Sequence, residues 1–295
     1  MPGIFHRPMH RKQFLKTTLG LSGAAAAMGV PVGSFAYSRP KNAHWALLSD
    51  THVAGDPKEA YRGFVPYQNL QTVVRQVLAL APEGVIIDGD VARLAGEKPD
   101  YQQVQRLLTP LAQKVPVHMT MGNHDDRDNF REVFSERTTL VEDHYVHVIE
   151  TPSVRMILLD SLLYVDKVVG LLGKLQRSWL EMFLDSTPLV PTLIFVHHTL
   201  GDNDSDLQDV DRMFDIIRPH ASVKAVLYGH SHRYQYGQRE GIQLINLPAV
   251  GYNFSDDEPV GWLEANLTSK GGAFTLHAIG GNREHDGQTV NLTWR

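Results

Sequence analysis

The stretch that decides the fold is residues 117–125, Val117-His118-Met119-Thr120-Met121-Gly122-Asn123-His124-Asp125. A short apolar run ends there in a glycine and three polar residues. The same arrangement occurs earlier, where residues 84–90 read Gly-Val-Ile-Ile-Asp-Gly-Asp. A short apolar run bounded by a glycine is typical of a buried strand that ends in a sharp turn. Ligands of open α/β sheets bind beyond the carboxyl ends of the strands, so these polar residues are candidates for one site.

Working outward, five polar clusters follow apolar runs in this way. They are Asp50-Thr51-His52, Asp88-Gly89-Asp90, Gly122-Asn123-His124-Asp125, His197-His198 and Gly229-His230-Ser231-His232. Any one of them alone is usually an ordinary turn or loop. Because all five occupy the same position relative to a predicted strand, we expect them to converge. Carboxylate and amide oxygens suit Mg²⁺ and Mn²⁺, and imidazole suits Zn²⁺ and Fe²⁺, so the clusters predict a metal site.

Apolar runs and helical patterns alternate along the chain, which predicts an α/β fold with a βαβ core and helices outside. Strands are predicted at 43–48, 84–87, 115–121, 144–149, 154–159, 192–196, 223–228, 242–247, 261–267, 273–279 and 289–294. Helices are predicted at 67–80, 101–111, 128–134, 172–184 and 210–217. Adjacent strands at 144–159 and 242–279 indicate mixed sheets. We find no linker that would divide residues 37–295, so they form one predicted domain.

Composition limits the function classes. The chain has 295 residues, 42% of them hydrophobic, and no cysteine. The lack of cysteine excludes disulfides, thiolate metal sites and cysteine nucleophiles. A net charge of −5 gives no indication of a nucleic-acid-binding patch. The oligomeric state stays open.

The first 36 residues differ from the rest and predict an export signal. Four basic residues lie at positions 7, 11, 12 and 16, and no acidic residue occurs before Asp50. A weakly apolar run over 17–30 is too short for a stable membrane span, and Ser34-Phe35-Ala36 is typical of a cleavage site. The alternative is a helical or disordered arm. Residues 11–16, Arg-Lys-Gln-Phe-Leu-Lys, resemble a twin-arginine signal with Lys12 at the second arginine. The resemblance implies a protein that is exported and is periplasmic or extracellular.

In their order and spacing, the clusters at 50–52, 89–90, 122–125, 197 and 229–232 are similar to the calcineurin-like metallophosphoesterase superfamily. The resemblance covers most of the predicted domain. It implies a four-layer α/β/β/α sandwich in which two mixed central sheets pack face to face. It also implies a phosphoric ester hydrolase that acts on a small-molecule substrate and uses two divalent metal ions, of which Fe, Mn and Zn are the candidates.

The resemblance assigns roles to individual residues. One metal would be held by Asp50, His52 and His232, the other by Asn123, His197 and His230, and Asp90 would bridge the two. Two such cations about 3.5–4 Å apart can clamp the attacking and leaving oxygens of a displacement and supply a hydroxide nucleophile. Because Asp50 and Asp90 supply only two negative charges, the loaded site would attract an anionic phosphate ester.

The resemblance also implies that His124 is the general acid or a phosphate-stabilising residue, with Asp125 orienting its ring. The role of His198 stays open between support of the metal site and an ordinary surface residue, and Asp88 is expected to be structural. The other nine of the 15 histidines, including His118 and His147, are expected to be structural or surface residues.

Residues 122–127 resemble the cyclic-nucleotide and glycerophosphodiester branch of the superfamily, which favours phosphodiesters as substrates. Alternatives are a phosphomonoesterase, a nucleotidase or a non-catalytic scaffold of the same fold. A positive site attracts a dianionic monoester more strongly than a diester. Diester preference would therefore require contacts to the second ester group from loops 55–66 or 251–258. Their aromatic residues, Tyr61, Phe64, Tyr252 and Phe254, either line the site or are buried under the loops.

Overall fold

A computed structural model of the chain describes residues 42–134, 139–141 and 143–295. The predicted export signal over residues 1–36 lies outside the described residues. None of the helices within those ranges combines the length and the apolar composition that a membrane crossing requires.

The first sheet has six strands in the order β13-β12-β11-β1-β2-β3. Its strands are β1 (Ala43–Ser49), β2 (Gly84–Asp88), β3 (Val117–Thr120), β11 (Pro259–Leu267), β12 (Gly271–Gly281) and β13 (Thr289–Thr293). The strands β1, β2 and β3 are parallel. The strands β11, β12 and β13 continue the sheet in antiparallel pairs on the other side of β1.

The second sheet has seven strands in the order β4-β5-β6-β7-β8-β10-β9. Its strands are β4 (Thr139–Val141), β5 (His144–Glu150), β6 (Arg155–Leu159), β7 (Thr192–Val196), β8 (Val223–Tyr228), β9 (Gln235–Arg239) and β10 (Ile242–Asn246). The central strands β6, β7, β8 and β10 are parallel, and antiparallel strands lie at both ends of the sheet.

Five helices lie within the described residues: α1 (Pro66–Leu80), α2 (Lys98–Ala112), α3 (Arg127–Phe134), α4 (Gly173–Ser186) and α5 (Val210–Ile217). The helices α1 to α3 pack on the first sheet through an apolar cluster that includes Leu48, Val85 and Leu70. The helices α4 and α5 cover the second sheet through a cluster that includes Ile194 and Phe214.

A third apolar cluster lies between the two sheets. It is formed by strand residues whose side chains point toward the other sheet, such as Leu47 of β1 and Phe195 of β7. Because the central strands β1, β2 and β7 bury both of their faces, most of their residues are apolar. The layers are thus helix, sheet, sheet, helix, which confirms the predicted fold class.

Two strands were not predicted from the sequence. The strand β9, Gln-Tyr-Gly-Gln-Arg, is an edge strand with largely exposed side chains, so it carries no apolar alternation. The strand β4 has three residues, too few to show a period. The predicted surface loop over residues 255–259 is an exposed turn up to Asp257, and Pro259 already begins β11.

Candidate metal centre

The five polar clusters meet at one edge of the sandwich. Three follow the parallel strands β1, β2 and β3 of the first sheet, and two follow the parallel strands β7 and β8 of the second. Carboxyl ends of parallel strands in one sheet share an edge, and packing the two sheets face to face brings both edges together. The side chains of Asp50, Asp90, Asn123 and His197 are almost entirely buried there.

One group of possible ligands consists of Asp50, His52 and His232. The Nε2 of His232 lies 3.3 Å from Oδ1 of Asp50, and the Nε2 atoms of His52 and His232 are 3.0 Å apart. Three donor atoms from two sheets therefore face one point.

A second group consists of Asp90, His197 and His230. The Nε2 of His197 lies 3.3 Å from Oδ2 of Asp90. The same Asp90 oxygen is 3.7 Å from Nε2 of His52, which belongs to the first group. Asp90 thus stands between the two groups, and its bridging role stays a prediction. Asn123 lines the same cavity as Asp90 and His230.

The backbone adopts an unusual conformation at five of these residues. Positive φ angles occur at Asp50, His52, Asp90, His230 and His232, with values of 52°, 46°, 46°, 67° and 52°. Non-glycine residues rarely adopt this left-handed region. Left-handed backbone within four residues of a strand end therefore accompanies five of the seven proposed ligands.

Two glycines make the close packing possible. A Cβ atom added at Gly122 would lie 2.2 Å from Oδ1 of Asp90, and one added at Gly89 would lie 2.4 Å from the His197 ring. Gly89 also has a φ of 74°. Any side chain at either position would displace a proposed ligand, which explains the glycines in these clusters.

Backbone carbonyl groups fix the orientation of the imidazole rings. The Nδ1 of His197 lies 2.6 Å from the Asp88 carbonyl oxygen, and the Nδ1 of His232 lies 2.6 Å from that of Tyr252. A ring whose Nδ1–H is donated in this way presents Nε2 as the metal-binding nitrogen. Both rings therefore turn Nε2 toward the carboxylates.

The surroundings of each group decide its protonation. Burial lowers the pKa of His52 to about 3 and that of His230 to about 4. Burial would also lower the pKa of His197, but the charges of Asp90 and Asp50 outweigh it and raise that pKa to about 10. Similarly, burial works to raise the pKa of Asp90, and His197 holds it well below its usual range. Negative charge is thus concentrated where cations would bind.

The donor atoms fit divalent cations. Within the described residues, Oδ1 of Asp50, Nε2 of His197 and both amide atoms of Asn123 are buried without a hydrogen-bond partner. Buried polar groups are normally satisfied, and two cations held by the two groups would satisfy the carboxylate, imidazole and amide oxygen atoms. The mixed oxygen and nitrogen donors suit Fe, Mn or Zn.

The sequence profile described as "Calcineurin-like phosphoesterase" matches residues 44–234. The chain belongs to this family. Members of the calcineurin-like phosphoesterase family are metal-dependent phosphoesterases, and the matched residues include both ligand groups.

Two curated relatives illustrate the similarity. A probable cyclic nucleotide phosphodiesterase from Ruthia magnifica is 24% identical over 231 residues, covering 76% of this chain and 93% of that protein. A probable glycerophosphodiester phosphodiesterase from Arcobacter nitrofigilis is 30% identical over 196 residues, covering 63% of this chain and 70% of that protein.

Solved structures share the fold at low sequence identity. A dimetal phosphatase from Danio rerio superposes with a TM-score of 0.66 at 17% identity, covering 86% of this chain and 99% of that one. A purple acid phosphatase from yellow lupin gives 0.64 at 15% identity, covering 87% and 54%. This phosphoesterase thus has the fold that the clusters predicted.

The prediction that Asp125 orients the His124 ring is wrong. The Asp125 carboxylate accepts hydrogen bonds from the backbone N–H groups of Val91, Ala92 and Gly122 and from the Tyr101 hydroxyl, at 2.9–3.2 Å. Because these four donors are buried, the Asp125 carboxylate points into the fold and away from the cavity. Asp125 instead joins the loops that follow β2 and β3.

The His124 ring is held by other groups. Its Nδ1 lies 2.7 Å from the Leu94 carbonyl oxygen and 3.6 Å from Oδ1 of Asp166. The backbone N–H of Asp166 donates to the Asn123 carbonyl at 2.7 Å, which ties its loop to the site. Asp166 carried no sequence signal, because it lies in an irregular segment more than 40 positions from His124.

Two further residues of the clusters have distinct surroundings. His198 is buried, and its Nδ1 lies 2.7 Å from the Ser161 hydroxyl. Its ring lies 4.8 Å from that of His230, measured between centroids. The surface alternative for His198 is therefore wrong, and the residue supports the ring of a proposed ligand. Asp88 is also buried, and burial raises its pKa to about 8.

The sequence left open which aromatic residues reach the site, and the structure separates them. Tyr252 is buried, with 4% of its surface exposed, whereas Phe254 is 50% exposed. Both line a cavity of about 500 Å³ that also contains His52, Asp90, Asn123, His124, His230 and His232.

Proposed function

We propose that this metallophosphoesterase hydrolyses phosphodiesters at a centre that holds two divalent cations. The observation that carries the proposal is the cavity of about 500 Å³, which extends from the ligand groups past Tyr252, Phe254 and Val168. A phosphate bound at the metals would need little of this volume. The remainder can accept a second ester group against apolar side chains.

Seven residues would hold the cations, with Asp90 shared: Asp50, His52, Asp90, Asn123, His197, His230 and His232. When bound, the two ions supply Lewis-acid stabilisation of the phosphate charge and a nucleophile at neutral pH. The chain's own contribution is to fix these ligands rigidly, through the carbonyl-anchored rings and the left-handed turns described above.

His124 is the proposed proton donor to the leaving oxygen. Its Nδ1 is engaged with the Leu94 carbonyl, so Nε2 is the nitrogen free to meet the substrate. The ring lies 5.3 Å from that of His52, centroid to centroid, and borders the cavity. A proton held there lies beside the bound phosphate and assists departure of an alcohol, which is a poor leaving group without it.

Two lines of support favour diesters over monoesters. Relatives at 24% and 30% identity are named as phosphodiesterases. In addition, the half-exposed ring of Phe254 and the exposed side chain of Val168 line the cavity beside the ligand groups. These apolar surfaces have nothing to contact in a small phosphate monoester, but they can pack against the second alcohol of a diester.

The test compares kcat/KM for bis-nitrophenyl phosphate and nitrophenyl phosphate, with Mn²⁺, Zn²⁺ or Fe²⁺ held constant within each comparison. We expect the diester to be the better substrate. A monoester advantage of about tenfold, corresponding to about 1.4 kcal/mol, would move the protein to the phosphomonoesterase or nucleotidase alternative. Absence of turnover with full metal content would support the scaffold alternative.

We also propose that the enzyme acts outside the cytoplasm, after removal of residues 1–36. The support is the sequence pattern of that segment alone. Amino-terminal sequencing of the protein from its native cell should give a mature start near Tyr37. Recovery of the protein from the cytoplasm with Met1 or Pro2 at its amino terminus would contradict the proposal.

A further inference from the structure

We propose that Phe254 selects phosphodiesters in which one alcohol group carries a flat aromatic ring, as a nucleoside does, and that Arg62 is its positioning residue. The inference rests on the proposed function and specifies the substrate class of the same site.

Phe254 lies directly against the metal centre. Its ring stacks on that of His232, with the centroids 4.2 Å apart and the planes inclined by 24°. Half of the Phe254 side chain stays exposed, and it lines the cavity that contains His232 and His124. A substrate whose phosphate reaches the metals can therefore place one of its ester groups against this ring.

Tyr252 anchors the loop that carries Phe254 to the metal centre. The Tyr252 ring stacks on His52 with 4.8 Å between centroids, and its carbonyl oxygen lies 2.6 Å from Nδ1 of His232. Tyr252 is itself buried. The loop is thus tied to one ligand through a ring contact and to another through a hydrogen bond.

Arg62 anchors the same loop through hydrogen bonds to its backbone. Its Nε donates to the Asn253 carbonyl at 2.8 Å, and one terminal nitrogen donates to the Phe254 carbonyl at 2.7 Å. The Asn253 side chain in turn donates to the Glu258 carbonyl at 2.7 Å. A ring held in place before binding loses little conformational freedom when a ligand packs on it, which favours affinity.

The cavity surface around Phe254 favours an aromatic group in the substrate. A nucleobase or another flat aromatic ring can stack on an exposed phenylalanine, whichever base it is. A glycerol group presents only hydroxyls and short aliphatic carbons, and it gains little from such a surface. Several other lining residues are polar, including Ser231, Arg233 and Ser255, which suits the hydroxyl groups of a sugar.

The experiment uses the metal-loaded full-length protein and two substrates, a 3′,5′-cyclic nucleotide and a glycerol phosphodiester without a ring. We expect Phe254→Ala to lower kcat/KM for the nucleotide roughly 5- to 100-fold, mainly through KM, which is the range for loss of one base–aromatic contact. The glycerol diester should change by less than about twofold. Phe254→Tyr should retain the preference, and both variants should keep the metal content of the parent protein.

The matched control is Tyr164→Ala. Tyr164 is also an exposed aromatic residue, with 66% of its surface accessible, but it does not line the cavity that contains the ligand groups. Its removal should leave the ratio of the two kcat/KM values unchanged. Arg62→Ala should raise KM for the nucleotide without changing kcat, because Arg62 acts through the position of the ring.

Equal losses on both substrates in Phe254→Ala, or no loss on the nucleotide, would overturn the inference. Failure of the proposed function is a separate result, seen as a lack of diester hydrolysis by the parent protein. Ring selection is then measured by inhibition of nitrophenyl phosphate hydrolysis with a nucleoside monophosphate and with glycerol phosphate. An equal rise of both inhibition constants in Phe254→Ala would refute it, and a rise for the nucleotide alone would support it.

Discussion

In two histidine-rich regions of the molecule, the pKa of a buried imidazole shifts in opposite directions. His197, in the metal centre, is fully buried among carboxylates, and the charges of Asp90 and Asp50 overcome burial and raise its pKa to about 10. His147 of β5 has a buried Nε2, and burial lowers its pKa to about 4. Its ring lies 5.9 Å from that of His118, which in turn lies 6.0 Å from Trp45, as measured between centroids.

The difference shows that a buried imidazole has no fixed role. Beside two carboxylates the protonated ring is stabilised by their negative charge, whereas among uncharged rings the imidazole has to remain neutral. The carboxylates, and not the number of histidines, therefore define the metal centre. Four substitutions test this comparison.

The largest effect is expected for Asp90→Ala. Asp90 lies between both ligand groups, so its removal should release at least one cation and lower turnover by roughly 10³-fold or more, since a bound metal contributes several kcal/mol. Metal analysis and turnover are measured on the same sample. Asp128→Ala, which removes an exposed carboxylate on α3, is the control and should change neither. Normal metal content in Asp90→Ala would refute the bridging role.

His124→Ala should have the next largest effect on turnover. His124 is proposed as a proton donor and not as a ligand, so both cations should remain while turnover falls roughly 10²–10⁴-fold. The loss should be smaller for nitrophenyl esters, whose leaving group needs no proton, than for alkyl esters. Loss of metal, or the same loss for both leaving groups, would contradict this role.

Asp125→Ala tests the corrected role of its neighbour. Three backbone N–H groups and the Tyr101 hydroxyl would lose their buried acceptor, and a buried unsatisfied group costs about 1–3 kcal/mol. Urea unfolding should show a loss of this size or greater, whereas His124→Ala should unfold like the parent protein. Equal stability of Asp125→Ala and the parent would show that these hydrogen bonds contribute little.

The smallest effect concerns acid stability. The pKa of His147 is about 4 in the folded chain and 6.5 when unperturbed, so its contribution is complete above pH 6.5 and is lost as the pH falls toward 4. The loss between pH 7 and pH 4.5 should be about 2 kcal/mol. In His147→Leu, the free energy of unfolding measured with urea should fall by about 2 kcal/mol less over this pH range than in the parent protein. His285→Leu, at an exposed position, should retain the dependence of the parent.

The sequence predicted the parts of the site that follow strand ends. Asp50, Asp90, His197 and the Gly229–His232 turn each follow a buried apolar run, and topology alone then brings them together. The relation of Asp125 to His124 was not predictable, because neighbouring side chains can point to opposite sides of a turn. Similarly, nothing local distinguishes the buried Tyr252 from Phe254, which lies two positions later and is half exposed.

The left-handed backbone at the proposed ligands has a consequence for adaptation to heat. Five non-glycine residues hold positive φ angles there, and each such conformation is unfavourable by about 1 kcal/mol or more. Selection for heat resistance alone would favour glycine at these positions and would thereby remove the ligands. Cation binding to the native state opposes that tendency, since it stabilises the fold by mass action. Thermostable descendants of this chain should therefore gain stability in the helical layers and leave the strand ends unchanged.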